Sequence, residues 1–266
     1  MTALAALSLL LAGCAAAPAA SPTPTKPNST AQPTAAETAA SVIATEIADI
    51  ENYAISIADI FILSPGSGSQ VSSPIAIDAR LQAGADGHVI VELSDPAGRI
   101  LVRQVLAAST AEFAMQLPFE VSRPPLPARL TLRTLDGYGR TQALNSVELM
   151  LLAEGQANIV PGSEQSHITL SQPADGQQIS GEIVISGTAY TANNRPLSIQ
   201  LITREGRVLV AREIYTQDEL SRPAIFETVL TVKVNEPTWV QVAVSERGYN
   251  IPGTAHFSAV EVLLLP

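Results

Sequence analysis

The chain repeats itself, and that repetition constrains the fold more than any other feature. Shifted by 108 residues, IFILSPGSGSQVSSPIAI (60–77) falls on ITLSQPADGQQISGEIVI (168–185) without a gap, and LSDPAGRILV (93–102) falls on LITREGRVLV (201–210). Across residues 60–106 there are 12 identities in 47 positions, and many other pairs exchange one aliphatic residue for another. A five-residue insertion in the second copy then moves the offset to 113, where Phe113 meets Phe226 and SVELMLL (146–152) meets AVEVLLL (259–265). Each copy is long enough to bury a core of its own. The duplication predicts two modules, at 58–152 and 167–266, joined by a linker at 153–166.

Within each copy the period is two. Val89, Val91 and Leu93 alternate with Ile90 and Glu92, Leu130 and Leu132 with Arg129, Thr131 and Arg133, and Val240, Val242 and Val244 with Gln241 and Ala243. Such alternation predicts strands with one buried face. The breaks carry turn chemistry: Asp95-Pro96-Ala97-Gly98 places Pro second and Gly fourth, as a type I turn prefers, and Thr203-Arg204-Glu205-Gly206 stands at the matching place. Strands are expected near 58–64, 74–81, 88–94, 99–106, 112–120, 128–134 and 142–152, and again in the second half. Seven short antiparallel strands per copy predict an all-β chain of two tandem immunoglobulin-like β-sandwiches, with a small barrel as the alternative.

The repeat also carries a family likeness. Ile60, Ile62, Pro65, Gly68, the run Val71-Ser72-Ser73-Pro74-Ile75, Ile77, Gly98 and Asp136-Gly137 together resemble the bacterial spore-germination immunoglobulin-like domain. The second copy follows with Pro173, Gly176, Ile179, Ser180, Ile183, Ile185, Gly187 and Gly206, and departs with Gly181-Glu182 for Ser-Pro and Arg247-Gly248 for Asp-Gly. The resemblance implies a sandwich fold and an association with germination or sporulation proteins. It implies no active site.

The N-terminal segment is of another kind. Ala3 to Ala12 is apolar apart from Ser8, about half the length a bilayer-spanning helix needs, and ends in Leu11-Ala12-Gly13-Cys14. Those four residues resemble the lipobox of bacterial lipoproteins, which implies cleavage after residue 13 and a lipid on Cys14, although the usual Lys or Arg ahead of the core is missing. A signal peptide cut near the alanines and an uncleaved anchor are the other readings. Cys14 is the only cysteine of the 266 residues, so no intramolecular disulfide can form. Residues 14–40, rich in Ala, Pro, Ser and Thr, hold no large aliphatic residue to seed a core and are expected to be a disordered tether reaching roughly 28–80 Å. In 41–57 apolar residues recur at three- and four-residue intervals, which predicts a short helix, or else a strand, against the first module.

Chemistry is sparsely signalled. With 15 Lys and Arg against 25 Asp and Glu, the net charge is −10 and the basic residues stand singly, which argues against nucleic acid as a partner. His88, His167 and His256 show no metal-ligand spacing and are expected as separate surface or strand-edge residues. Gly66-Ser67-Gly68-Ser69 lacks the spacing of a nucleophile elbow or phosphate loop and becomes Ala174-Asp175-Gly176-Gln177 in the second copy, as a turn would. No cofactor or catalytic residue is indicated; Asp136, Glu164 or Glu246 are the carboxylates from which a Ca²⁺ site between the modules would be built. The candidate binding residues are aromatic. Tyr138 and Tyr249 follow glycines in the loop before the last strand of each copy, and Trp239, out of phase with Val240, Val242 and Val244, is expected to face outward. The alternative for all three is a cap on a sandwich end or a contact between modules. The sequence therefore predicts a non-enzymatic envelope protein, attached to the membrane through Cys14 and facing outside the cytoplasm, whose modules bind or adhere to a protein or glycan; a structural spacer or assembly subunit is the alternative.

Overall fold

A computed structural model describes residues 60–108, 111–155, 157–163, 167–191, 195–216 and 223–266. The signal-like run, Cys14, the Pro-rich stretch and the 41–57 segment lie outside the described residues. Among the described residues every regular element is a strand.

The first module comprises β1 (Ile60–Ser64), β2 (Gln70–Val71), β3 (Ile75–Leu81), β4 (His88–Ser94), β5 (Ile100–Ala107), β6 (Glu112–Leu117), β7 (Leu126–Leu135) and β8 (Thr141–Leu151). The second repeats the series with β9 (Ile168–Gln172), β10 (Gln178–Ser180), β11 (Glu182–Ala189), β12 (Leu197–Thr203), β13 (Val208–Ile214), β14 (Ala224–Thr231), β15 (Thr238–Arg247) and β16 (Thr254–Leu265). In the first module a sheet β1-β3-β6 faces a sheet β5-β4-β7-β8; in the second β9-β11-β14 faces β13-β12-β15-β16. The short β2 and β10 run parallel to β8 and β16, the last strands of their modules. Each copy is thus an immunoglobulin-like sandwich of two open sheets, and the barrel alternative falls.

The alternating residues fill two separate cores. Ile77, Val91, Leu93, Leu130 and Leu132 lie at the centre of the first. Ile185, Ile199, Leu201, Val242 and Val244 take the corresponding places in the second. The turns match their chemistry as well. Gly98 N–H donates to the Asp95 carbonyl, and Gly206 N–H to the Thr203 carbonyl, with both glycines at positive φ.

Two features were not anticipated. First, residues 157–162 of the expected linker run back along the first module. Gln70 and Asn158 exchange backbone hydrogen bonds, and Gly66 N–H donates to the Val160 carbonyl at 2.7 Å and Gly162 N–H to the Leu63 carbonyl at 2.8 Å. A Cβ at Gly162 would strike the backbone of Ile62 and Leu63, and one at Gly66 the backbone of Pro161, so both glycines permit the close approach.

Second, the modules share a sheet. β8 pairs antiparallel with β16 through Phe257↔Leu144 and Ser258↔Ala143, giving the continuous order β13-β12-β15-β16-β8-β7-β4-β5. The strands that meet are equivalent in the repeat, and Leu144 and Phe257 are equivalent positions, so the modules are related by a pseudo-two-fold axis through that pair. This junction corrects the expectation of one buried face per strand. Arg129 and Thr131 on β7, and Gln241 and Ala243 on β15, lie opposite the core residues and are also buried.

Candidate functional site

The interface between the modules is polar, and it is built twice from equivalent places. The β7–β8 turn of the first module, Asp136-Gly137-Tyr138-Gly139-Arg140, reaches β16: Arg140 Nη2 donates to Glu261 Oε1 at 2.8 Å. The corresponding 248–253 loop of the second module reaches β8: Asn250 Nδ2 donates to Glu148 Oε2 at 2.6 Å, and the backbone amides of Asn250 and Ile251 donate to Oε1 at 3.2 Å. Glu148 and Glu261 are equivalent in the repeat. Below them, buried Arg129 donates to the carbonyls of Ile251 and Pro252, and Gln241 Nε2 to the Thr141 carbonyl at 2.8 Å. Ser146 Oγ–H donates to the Ala255 carbonyl at 2.8 Å.

These contacts set the charges. A hydrogen bond from Arg204 holds the Glu261 carboxyl below the usual carboxylate range, with burial opposing and Arg140 assisting. For Glu148 burial pushes the carboxyl up, but the hydrogen bonds from Asn250, Ile251 and Arg129 together outweigh it and the net direction is down. Both glutamates are therefore held as anions at neutral pH.

The structure brings Tyr138 and Trp239 together and leaves Tyr249 apart. The Arg204 guanidinium lies over both the Tyr138 ring, at 4.3 Å, and the Trp239 ring, at 4.7 Å. Trp239 does sit on the face opposite Val240, Val242 and Val244, yet it is only half-exposed there. Tyr138, 52% exposed, thus meets an arginine of the second module, whereas Trp239 meets one of its own module. Tyr249 is 58% exposed at the mouth of a cleft, beneath Arg195 at 4.8 Å. Arg195 is held in place by the Gly248 carbonyl, to which it donates at 2.6 Å.

That cleft lies between the modules and measures about 870 Å³. Ser67, Gln70, Glu148 and Met150 line it from the first module, and Tyr190, Arg195, Tyr249 and Asn250 from the second. On its wall the histidine expectation needs correcting. His88 does stand alone, half-exposed beside Asp86 at the start of β4. His167 and His256, however, stack with ring centroids 3.6 Å apart and planes within 5°. Glu246, 4% exposed, joins them so that one ligand atom of each residue lies within 4.8 Å of the others. Burial lowers the pKa of His167, and burial, then the charges of His167 and Arg129, push that of His256 well down. Both rings are neutral at pH 7. Spacing along the chain could not reveal this pair, because one histidine precedes the first strand of its module and the other lies on the last. Only the sandwich topology, which sets β9 against β16, makes them neighbours.

Of the carboxylates considered for Ca²⁺, Asp136 is consumed by its own turn. Its Oδ1 accepts the Tyr138 and Arg140 amides and its Oδ2 the Arg140 guanidinium. Glu164 lies outside the described residues. Glu246 keeps company with imidazoles, a donor set unlike the all-oxygen shell calcium takes.

A model of the immunoglobulin-like domain of bacterial spore germination matches residues 167–248. No curated protein matches the chain. Among solved structures, the fibronectin(III)-like modules of Clostridium thermocellum CbhA are 13% identical over 77% of this chain and 94% of that one, with a TM-score of 0.24. A Salmonella alpha-2-macroglobulin variant is 17% identical over 78% of this chain and 15% of that one, with a TM-score of 0.29. A two-domain fibronectin type-III segment of chicken tenascin is 10% identical over 79% of this chain and 98% of that one, with a TM-score of 0.23. Likenesses of this size concern the all-β fold alone. An immunoglobulin-like fold of this kind is the architecture of a binding or spacer module, and such folds are typically non-catalytic.

Proposed function

We propose that this chain is a non-catalytic binding protein of the bacterial cell envelope, tethered through a lipid on Cys14 and facing outside the cytoplasm, whose ligand face is the cleft between its two modules. The observation that carries the binding reading is Tyr249 with Arg195 at the mouth of that cleft. An exposed ring under a guanidinium, framed by the polar side chains of Gln70, Glu148 and Asn250, offers stacking and hydrogen bonding together. A sugar or a peptide side chain is the class of group that uses both. The anchor rests on the Leu11-Ala12-Gly13-Cys14 sequence and the coreless tether behind it.

A specific observation favours the spacer reading as a second choice. Tyr138 and Trp239 each lie under Arg204 within the chain, and one sheet runs through both modules.

Two measurements test this. Mass spectrometry of the native protein should find a diacylglyceryl cysteine at residue 14, whereas an intact Met1 or a free Cys14 thiol would refute the anchor. Glycan-array screening of the full chain, beside crosslinking to solubilised envelope proteins, should give a ligand whose binding falls at least about tenfold in Tyr249→Ala and Arg195→Ala. No glycan signal, together with one stoichiometric protein partner indifferent to both substitutions, would replace binding at the cleft by the spacer reading.

A further inference from the structure

The geometry points to a divalent transition-metal site, best suited to Zn²⁺, formed by His167, Glu246 and His256 on the wall of the cleft between the modules. It stands independently of the anchor and of whatever the cleft binds.

The ligand orientation comes first. Asn145, on β8 of the first module, donates from Nδ2 to the Ile60 carbonyl at 3.0 Å, which turns its Oδ1 toward His256. That oxygen is 2.9 Å from His256 Nδ1 and can only accept, so Nδ1 carries the proton. The lone pair of His256 is therefore on Nε2. A partner that fixes the tautomer through the other ring nitrogen is the arrangement that supports metal-bound histidines generally.

Proximity supplies the second requirement: the two rings stack 3.6 Å apart, and one ligand atom of each lies within 4.8 Å of the others and of the Glu246 carboxylate. The neighbouring Arg129 guanidinium opposes a cation, but its charge is met by Glu148, with Arg129 Nη2 3.3 Å from Oε1. Third, two imidazoles and one carboxylate form a set that zinc takes, with ligand distances of about 2.0–2.2 Å. Around a tetrahedral ion such donors lie roughly 3.3 Å apart. One ligand atom of each residue already falls within 4.8 Å of the others, so splaying the two rings out of their stack closes the shell. The cleft, which His167, Glu246 and His256 all line, gives the ion its route and leaves water or a ligand group the fourth position.

The test uses the metal-stripped full chain. Calorimetry with ZnCl₂ should show one equivalent bound, and Co²⁺ should give the visible absorption of a tetrahedral complex. His167→Gln, His256→Gln and Glu246→Gln should each weaken zinc by more than the roughly 10- to 100-fold that altering a ligand's supporting partner costs, while His88→Gln leaves it unchanged. Because a variant at a packed position can unfold, zinc titration of the wild-type chain followed by NMR gives an independent reading. The ring protons of His167 and His256 should shift and those of His88 stay. No saturable zinc binding, or binding that shifts His88 and survives the loss of both other histidines, would overturn the assignment.

Discussion

Replacing Arg129 by alanine should separate the two modules while leaving each folded. Arg129 belongs to β7 of the first module, its side chain is 4% exposed, and its strongest partners belong to the second: the carbonyls of Ile251 and Pro252, the latter at 3.0 Å. Hydrogen bonds to a charged group contribute about 1.5–3 kcal/mol each, and removing one partner of a buried ion pair costs about 3–5 kcal/mol. Two facts pull the figure down. The Glu148 side chain remains 24% exposed and keeps Asn250 and two backbone amides, so it is not stranded without its arginine. Arg129 Nε, moreover, is buried without a hydrogen-bond partner, a standing cost that the substitution relieves. A loss of about 2–3 kcal/mol remains, or roughly 30- to 150-fold in the equilibrium between docked and undocked modules. Each module has its own core, so the loss falls on docking rather than on either sandwich. Differential scanning calorimetry should show one cooperative transition in the wild type resolving into two in Arg129→Ala. A variant that still melts in one transition, within about 0.5 kcal/mol of the parent, would refute the claim that this arginine couples the modules.

Acid should loosen the same interface. The carboxyls of Glu148 and Glu261 are lowered in the folded chain, so their contribution is fully present above the unfolded glutamate value near 4.3 and is lost as pH falls through the folded values. Coupling between modules, followed by calorimetry from pH 7 to pH 3, should decline only below about 4.3, and a Glu148→Gln/Glu261→Gln double variant should not show the decline. Gly162→Ala should destabilise the first module by about 1–3 kcal/mol in urea unfolding, because the new methyl meets backbone that cannot yield as a side chain would.

Strand positions were legible because alternation and turn residues act locally. The expected 88–94 and 74–81 are β4 and β3 almost to the residue, and the Gly98 and Gly206 turns follow from their sequences. The two- and three-residue strands β2 and β10 were missed, being too short for any period. The junction was illegible for a deeper reason. Arg129 and Thr131, or Gln241 and Ala243, alternate with core residues as solvent-facing positions do, and nothing local distinguishes a polar side chain facing water from one facing another module's carbonyls. The His167–His256 stack is hidden in the same way: it exists only once the first and last strands of a sandwich are brought side by side. The insertion of one residue in the 248–253 loop adds to the difficulty. It aligns Leu130 with Val242 by pairing, one residue away from where the offset of the flanking strands would place it.

The pseudo-two-fold axis permits a sharper argument about where the docking energy resides. An interface between equivalent surfaces is self-complementary in outline, so either module alone could in principle pair with its own copy through its last strand. The two are not equally equipped. In a pair of first modules, Arg140 of one copy would meet Glu148 of the other, because Glu148 stands where Glu261 stands in the repeat, and Arg129 would be present twice. In a pair of second modules the places of Arg140 and Arg129 are taken by Gly253 and Gln241, and no cross-module arginine remains on Glu261. If the arginine contacts hold the modules together, isolated residues 60–163 should dimerise in sedimentation equilibrium more tightly than isolated residues 167–266, and the Arg129→Ala/Arg140→Ala double variant should abolish the difference. If strand pairing around Leu144 and Phe257 dominates instead, the two fragments should associate alike, since the edge backbone each presents is equivalent. The reverse order, with the second module the tighter dimer, would show that neither arginine carries the junction.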